Sequence, residues 1–206
     1  MNPINIFLRL SGLLSIVICI PAYFYFSYTN PAYEHLTKAY SELASVGTPN
    51  NLYVAFWTFF LPGLLATLFF IKLPSYILNR NIKRYPFVLF ILSGVLTTLG
   101  TSPMNYDDFF ALSSQLHIIG VMGGGLLFIV GAFTVSRQLK KDQQWASLTK
   151  PLLILTWVLI ISGFFRESSF PGLAQKLGIL AFYLYVALLS WNAFRIINTS
   201  ANKHDN

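Results

Sequence analysis

The chain has 206 residues, of which 55% are hydrophobic and only 10% charged, and its mean hydropathy is +0.59. A soluble domain carries about 25% charged residues, so this composition excludes a soluble globular protein and leaves an integral membrane protein. The formal charge of +7 is therefore read against anionic lipid headgroups, and no nucleic-acid partner is expected.

A hydrocarbon core about 30 Å thick takes roughly 17 to 25 apolar residues in a helix. Six stretches answer to that, at 10–28, 52–71, 87–102, 109–135, 152–165 and 177–194, the fifth being short and borrowing from its flanks. Lipid offers the backbone no hydrogen-bond partner, so each span is predicted to be helical. The expected fold class is all-α: one integral membrane domain over 1–206, a six-helix transmembrane bundle with both termini cytoplasmic.

In chain order, Arg9 before Leu10 resembles the start of a signal peptide. Bulky Tyr23, Phe24, Tyr25 and Phe26 stand where a small-residue cleavage site would be needed, so the helix is read as retained. Cys19 is the single cysteine, which excludes a disulfide or a cysteine metal site within the chain. Pro21, and the pair Pro62 and Gly63 in the second span, are expected to bend their helices. Between these two spans lies "YSELASVGTPNN", Tyr40 to Asn51, a polar stretch that brings Ser41 and Glu42.

The second connection on the same side, "GTSPMNYDDFF", brings Asn105, Tyr106, Asp107 and Asp108. In the fourth span Ser113, His117, Gly120, Gly124 and Gly131 recur at helical spacing and share one side. Gly120 and Gly124 form the small-xxx-small pattern that lets membrane helices approach closely. His117 is thereby predicted to point inward, either as part of a functional site or as a hydrogen-bonding link to a neighbouring helix. The third connection carries Arg166, Glu167, Ser168 and Ser169. Pro171 then opens the sixth helix, which presents free N–H groups near Arg166 and leads to Gln175. A tail over 198–206, His204 included, is expected to fray.

Lys and Arg set orientation, because short loops rich in them stay cytoplasmic. Eleven of the fourteen fall on the side of the termini: Arg9, Lys72, Arg80, Lys83, Arg84, Arg137, Lys140, Lys141, Lys150, Arg195 and Lys203. The other side holds Lys38, Arg166 and Lys176 with five of the seven carboxylates, Glu34, Glu42, Asp107, Asp108 and Glu167. Tyr and Trp gather near both boundaries, where amphipathic rings sit.

The stretch "AYSELASVGTPNNLYVAFWTFFLPGLL" resembles the signature after the first helix of a six-helix bacterial and archaeal membrane family, domain of unknown function 998. The likeness continues through "GTSPMNYDD", through His117 with Gly120, and through "GLAQKLG" at the start of the sixth helix. It departs at "TSPMN" and at Lys176, where arginine is usual. A fainter similarity joins the outer connections to DRAM and Sfk-type membrane proteins. The family likeness implies architecture and the position of a site, and no activity.

Three connections that cap one bundle converge, so a polar, outward-facing pocket is expected, with Glu42, Asp107, Asp108, His117, Arg166 and Gln175 as candidate ligand-binding residues. Its expected occupant is a lipid headgroup or a small polar ligand, in a prokaryotic cytoplasmic membrane. The alternative is a membrane-embedded lipid hydrolase or acyltransferase. There Asp107 or Asp108 would orient His117, and Ser41, Ser113 or Ser114 would attack an ester. No motif marks the serine, and such hydroxyls also serve as turn formers and caps. Ionisable residues other than His117 are missing from the apolar cores, which argues against an ion-coupled pump. His117 has no second axial histidine for haem, no mid-helix lysine suits retinal, and the scattered carboxylates do not suggest zinc. No metal and no cofactor is predicted. Membrane lipids are the expected partners, with a homo-oligomer or a membrane-protein partner left open.

Overall fold

The computed structural model describes residues 2–77, 79, 81–165 and 169–201, with side chains described up to Ile196. Among these residues there is no strand, and six helices make the fold: α1 Pro3–Tyr28, α2 Asn51–Tyr76, α3 Tyr85–Leu99, α4 Leu112–Gln138, α5 Thr149–Phe164 and α6 Pro171–Ala201. Five of them are long and apolar enough to cross a membrane, the fifth counted from Ala146 through its 3-10 lead-in; α3 is apolar but has 15 residues. Each helix packs against its neighbours in sequence, and α6 returns to pack against α1, so the helices form a closed ring. Sequential helices packing side by side produce that order.

The burial pattern is that of a protein dissolved in lipid. Val17, Phe24, Leu126, Ile154 and Trp157 are more than half exposed, while Ser11, Ser15, Thr58, Ser93, Ser114, Ser136, Thr156 and Ser190 are buried. With lipid as apolar as leucine, helices gain more by close approach and polar contact than by hiding hydrocarbon. Ser190 Oγ accepts the Leu13 amide at 3.0 Å, Ser93 Oγ donates to the Gly124 carbonyl at 2.7 Å, and Tyr185 OH donates to the Ala132 carbonyl at 3.1 Å. Between α3 and α4 the approach is closest. A Cβ on Gly120 would strike the Gly100 amide nitrogen and the Leu96 carbonyl, and one on Gly124 would lie 2.6 Å from Thr97 Oγ1.

At the end carrying the chain termini, Phe69, Phe70, Phe90, Phe128 and Tyr185 form an aromatic core together with Trp145 and Leu152. Its rings meet closely, as at Phe70 and Phe90 with centroids 4.6 Å apart, a geometry that adds to the burial itself. Arg9 lies 3.9 Å over the Tyr76 ring, the cation–π position.

Pro62 leaves a distinct mark on α2. It has no N–H and its ring crowds the carbonyl four residues before it, that of Thr58. The helix widens to a π-helical segment over Phe56–Phe60, where the Leu61 amide reaches back to the Phe56 carbonyl. The freed Thr58 carbonyl accepts from Cys19 Sγ of α1 at 3.4 Å.

Candidate functional site

The connection between α1 and α2 is a folded cap. Its Ser-Glu-Leu sequence forms a 3-10 turn over Tyr40–Ala44. Glu42 fixes that turn: its Oε1 accepts the Ala39 amide at 2.6 Å, and its carbonyl accepts Ser45 Oγ at 2.8 Å and Thr48 Oγ1 at 3.1 Å. The chain then reverses through Gly47 at φ +84° and Asn50 at φ +59°, left-handed conformations that glycine and asparagine tolerate best.

This turn drives Tyr40, Ser41, Leu43 and Ala44 inward. The Tyr40 ring stacks on Tyr23 of α1 with centroids 4.7 Å apart, and its hydroxyl lies 3.2 Å from Cys19 Sγ. The single thiol proton serves the Thr58 carbonyl, so the Tyr40 hydroxyl donates to the sulfur. Tyr33 OH donates to the Lys38 and Ala39 carbonyls at 3.3 and 3.2 Å. Lys176 of α6 donates to the His35 and Lys38 carbonyls and lies 5.0 Å over the Tyr33 ring.

The other connections join the same cap. The Val46 amide donates to the Met104 carbonyl at 2.9 Å, and the Leu173 amide to the Leu36 carbonyl at 3.1 Å. The Ser41 amide donates to Gln175 Oε1 at 3.3 Å, and Gln175 Nε2 lies 3.4 Å from Ser41 Oγ. Gly172 has no room for a side chain, since a Cβ would run into the Lys38 carbonyl.

Beneath this cap lies a cavity of about 380 Å³, within the 300 to 1,000 Å³ typical of small-molecule sites. Ser41, Thr97, His117 and Gln175 bring polar atoms to its lining, and Phe128, Ile129, Ile179 and Phe182 are among its apolar residues. His117 is buried, and its Nδ1 lies 3.0 Å from the Ser102 carbonyl. A carbonyl only accepts, so Nδ1 carries a proton in that contact. A second, smaller cavity of about 230 Å³ lies within the first connection and is lined by Tyr33, Lys38, Glu42 and Thr48.

The residues singled out in the sequence thus have different places. Ser41, His117 and Gln175 line the large cavity; Glu42 lines the small one. Asp108 Oδ1 accepts the Phe110 and Ala111 amides at 2.9 and 3.1 Å, closing the turn that starts α4, and Asp107 is exposed beside it. Ser114, not Ser113, is the fully buried serine of α4; its hydroxyl lies 3.1 and 2.9 Å from the Asn105 and Asp108 carbonyls. Arg166, Glu167 and Ser168 lie outside the described residues, as do Arg80 and the end of the tail from Asn202. Ser93, Ser162, Gly125 and Gly163 also line the cavity, and nothing in their sequence context marks them.

Residues 13–192 match a family described as protein of unknown function, DUF998. The chain belongs to DUF998. The match covers the Cys19 and Tyr40 contact, both cavities and His117, so the whole cap and cavity lie within the family's extent. No curated protein and no solved structure matches the chain.

Proposed function

We propose that this DUF998 protein binds an amphipathic membrane lipid in the large cavity, its polar group against Ser41, Gln175 and His117 and a hydrocarbon chain among the deeper apolar side chains. The observation that carries this reading is the mixed lining of one cavity: Ser41, His117 and Gln175 bring hydrogen-bonding atoms to it, while aromatic and aliphatic side chains such as Phe128, Ile129 and Phe182 make up most of its wall. Binding sites are characteristically apolar with a few convergent polar groups that fix orientation. The Ser41 hydroxyl and Gln175, as donor and acceptor, suit a hydroxyl, amide or ester of a headgroup. The polar cap faces away from the cytoplasm in this proposal, since the opposite end gathers most of the Lys and Arg.

Native mass spectrometry of the protein extracted in mild detergent tests the binding. A retained lipid is expected, and Ile179→Trp, which fills the cavity, is expected to abolish it. An empty wild-type protein, or equal retention by the variant, overturns the proposal. Labelling of single cysteines placed at Asn50 and at Lys140 tests the orientation: an impermeant reagent outside intact cells should reach the first and not the second.

A further inference from the structure

We infer that the cavity opens sideways into the bilayer through the seam between α4 and α5, and that a phospholipid chain passes through this aperture; the inference rests on the reading of the cavity as a lipid site. Met122 and Leu126 of α4 line the cavity although they are 58% and 63% exposed, so the same space is continuous with the outer surface of the helix. Across the seam, Gly163 of α5 is also both exposed and cavity-lining. A Cβ added at Gly125 or at Gly163 would meet no atom of the described residues within 4 Å.

Neighbouring seams behave in the opposite way. Gly120 and Gly124 are filled by α3, and a Cβ on Gly178 of α6 would lie 2.6 Å from Ser162 Oγ of α5. The α4–α5 seam itself is closed lower down by Phe133 and Trp157, whose rings meet edge-on at 5.3 Å. From that contact Gly125 is eight residues along α4 and Gly163 six along α5, which places both glycines about 12 and 9 Å above it at a rise of about 1.5 Å per residue. The absent side chains on the two helices thus fall at comparable height and leave a gap over an aromatic floor.

The surroundings of the aperture select its traffic. Its rim is apolar and faces hydrocarbon, where a polar solute would have to shed its hydration, whereas an acyl chain moves from one apolar medium to another. The polar atoms under the cap then hold the headgroup near the membrane boundary while the chain occupies the cavity.

Exchange of bound lipid tests the aperture. The full chain is reconstituted in vesicles of palmitoyl-oleoyl phosphatidylglycerol and phosphatidylethanolamine, mixed with vesicles of chain-deuterated phosphatidylglycerol and sampled over time by native mass spectrometry. Gly125→Trp and Gly163→Trp, on different helices and both with open space to receive the ring, are each expected to slow exchange about tenfold, the effect of about 1.4 kcal/mol on a barrier. Val17→Trp, on the exposed face of α1 and not among the residues that line the cavity, should exchange at the wild-type rate. Retained lipid that exchanges equally fast in the wild type and both glycine variants overturns the aperture alone; so does equal slowing by Val17→Trp. A wild-type protein that holds no phospholipid overturns the aperture together with the lipid reading beneath it.

Discussion

Ser41 and Gln175 lie 134 residues apart and meet through two contacts, from the Ser41 amide to Gln175 Oε1 and from Gln175 Nε2 to Ser41 Oγ. Both residues line the cavity, so the link that ties the first connection to α6 is also part of the cavity's polar end. Gln175→Leu keeps the volume and removes both contacts, leaving a half-buried amide without its partner. The expected loss is about 1 kcal/mol in unfolding free energy, read by denaturation in mixed micelles, together with weaker lipid retention. Gln175→Glu retains the acceptor for the Ser41 amide and should recover most of the stability. Unchanged stability in Gln175→Leu would remove the proposed linkage between cap and cavity.

The α3–α4 seam makes a sharper prediction, since its neighbours are backbone. Gly120→Ala places a methyl against the Gly100 amide and the Leu96 carbonyl, neither of which can rotate away. Overpacking of this kind costs about 1 to 3 kcal/mol. Gly63→Ala in α2 is the control, because a Cβ there meets nothing within 4 Å among the described residues. Removing a helical glycine should stabilise by about 0.5 to 1 kcal/mol. Thermal unfolding in detergent should therefore move in opposite directions for the two variants.

That seam also shows how far the sequence could be read. Hydropathy located the six helices because length and apolarity are local properties of the chain. The spacing of His117, Gly120, Gly124 and Gly131 found the packed face of α4, and these residues are buried together. It selected Ser113 where Ser114 is the buried serine, because the face was extended in strict steps of four and three while the first turn of α4 is set by the Asp108 turn. The cavity was not legible. It is a shortage of side-chain volume where Val121, Ile129, Leu159 and Phe182 fail to meet, and apolar residues look alike in sequence whether they touch a neighbour, lipid or empty space. Gly125 and Gly163 add to that shortage, and a glycine facing open space and a glycine facing a helix are the same letter.

The pairing of Cys19 with Pro62 can be isolated by a double-mutant cycle. Cys19→Ala removes the donor to the Thr58 carbonyl and should cost about 1 kcal/mol. In Pro62→Ala the restored amide at position 62 can return to that carbonyl, so the same cysteine change should cost less. A coupling energy of about 0.5 kcal/mol or more is expected for groups in such contact. Strict additivity would mean that the thiol does not compensate for the proline.

Alkaline pH should loosen the cap through Tyr33 and Tyr40. Burial, with the neighbouring Tyr23 hydroxyl and the Glu42 carboxylate, pushes the Tyr33 hydroxyl above its ordinary value. Burial beside Cys19 and Tyr183 does the same to Tyr40. The unfolded chain then releases these protons at lower pH than the folded one. Their contribution to stability is complete below about pH 10, the value of a free tyrosine, and is lost as pH rises through the raised folded values, because the unfolded state binds fewer protons there. The chemistry agrees, since a tyrosinate at position 33 could no longer donate to the Lys38 and Ala39 carbonyls. Melting midpoints in detergent should fall between pH 9 and pH 11 by roughly the few degrees that 1 kcal/mol represents. Tyr33→Phe and Tyr40→Phe should each flatten that decline while lowering the midpoint at pH 8. If both variants decline as steeply as the wild type, the alkaline sensitivity arises elsewhere and the two hydroxyls do not hold the cap.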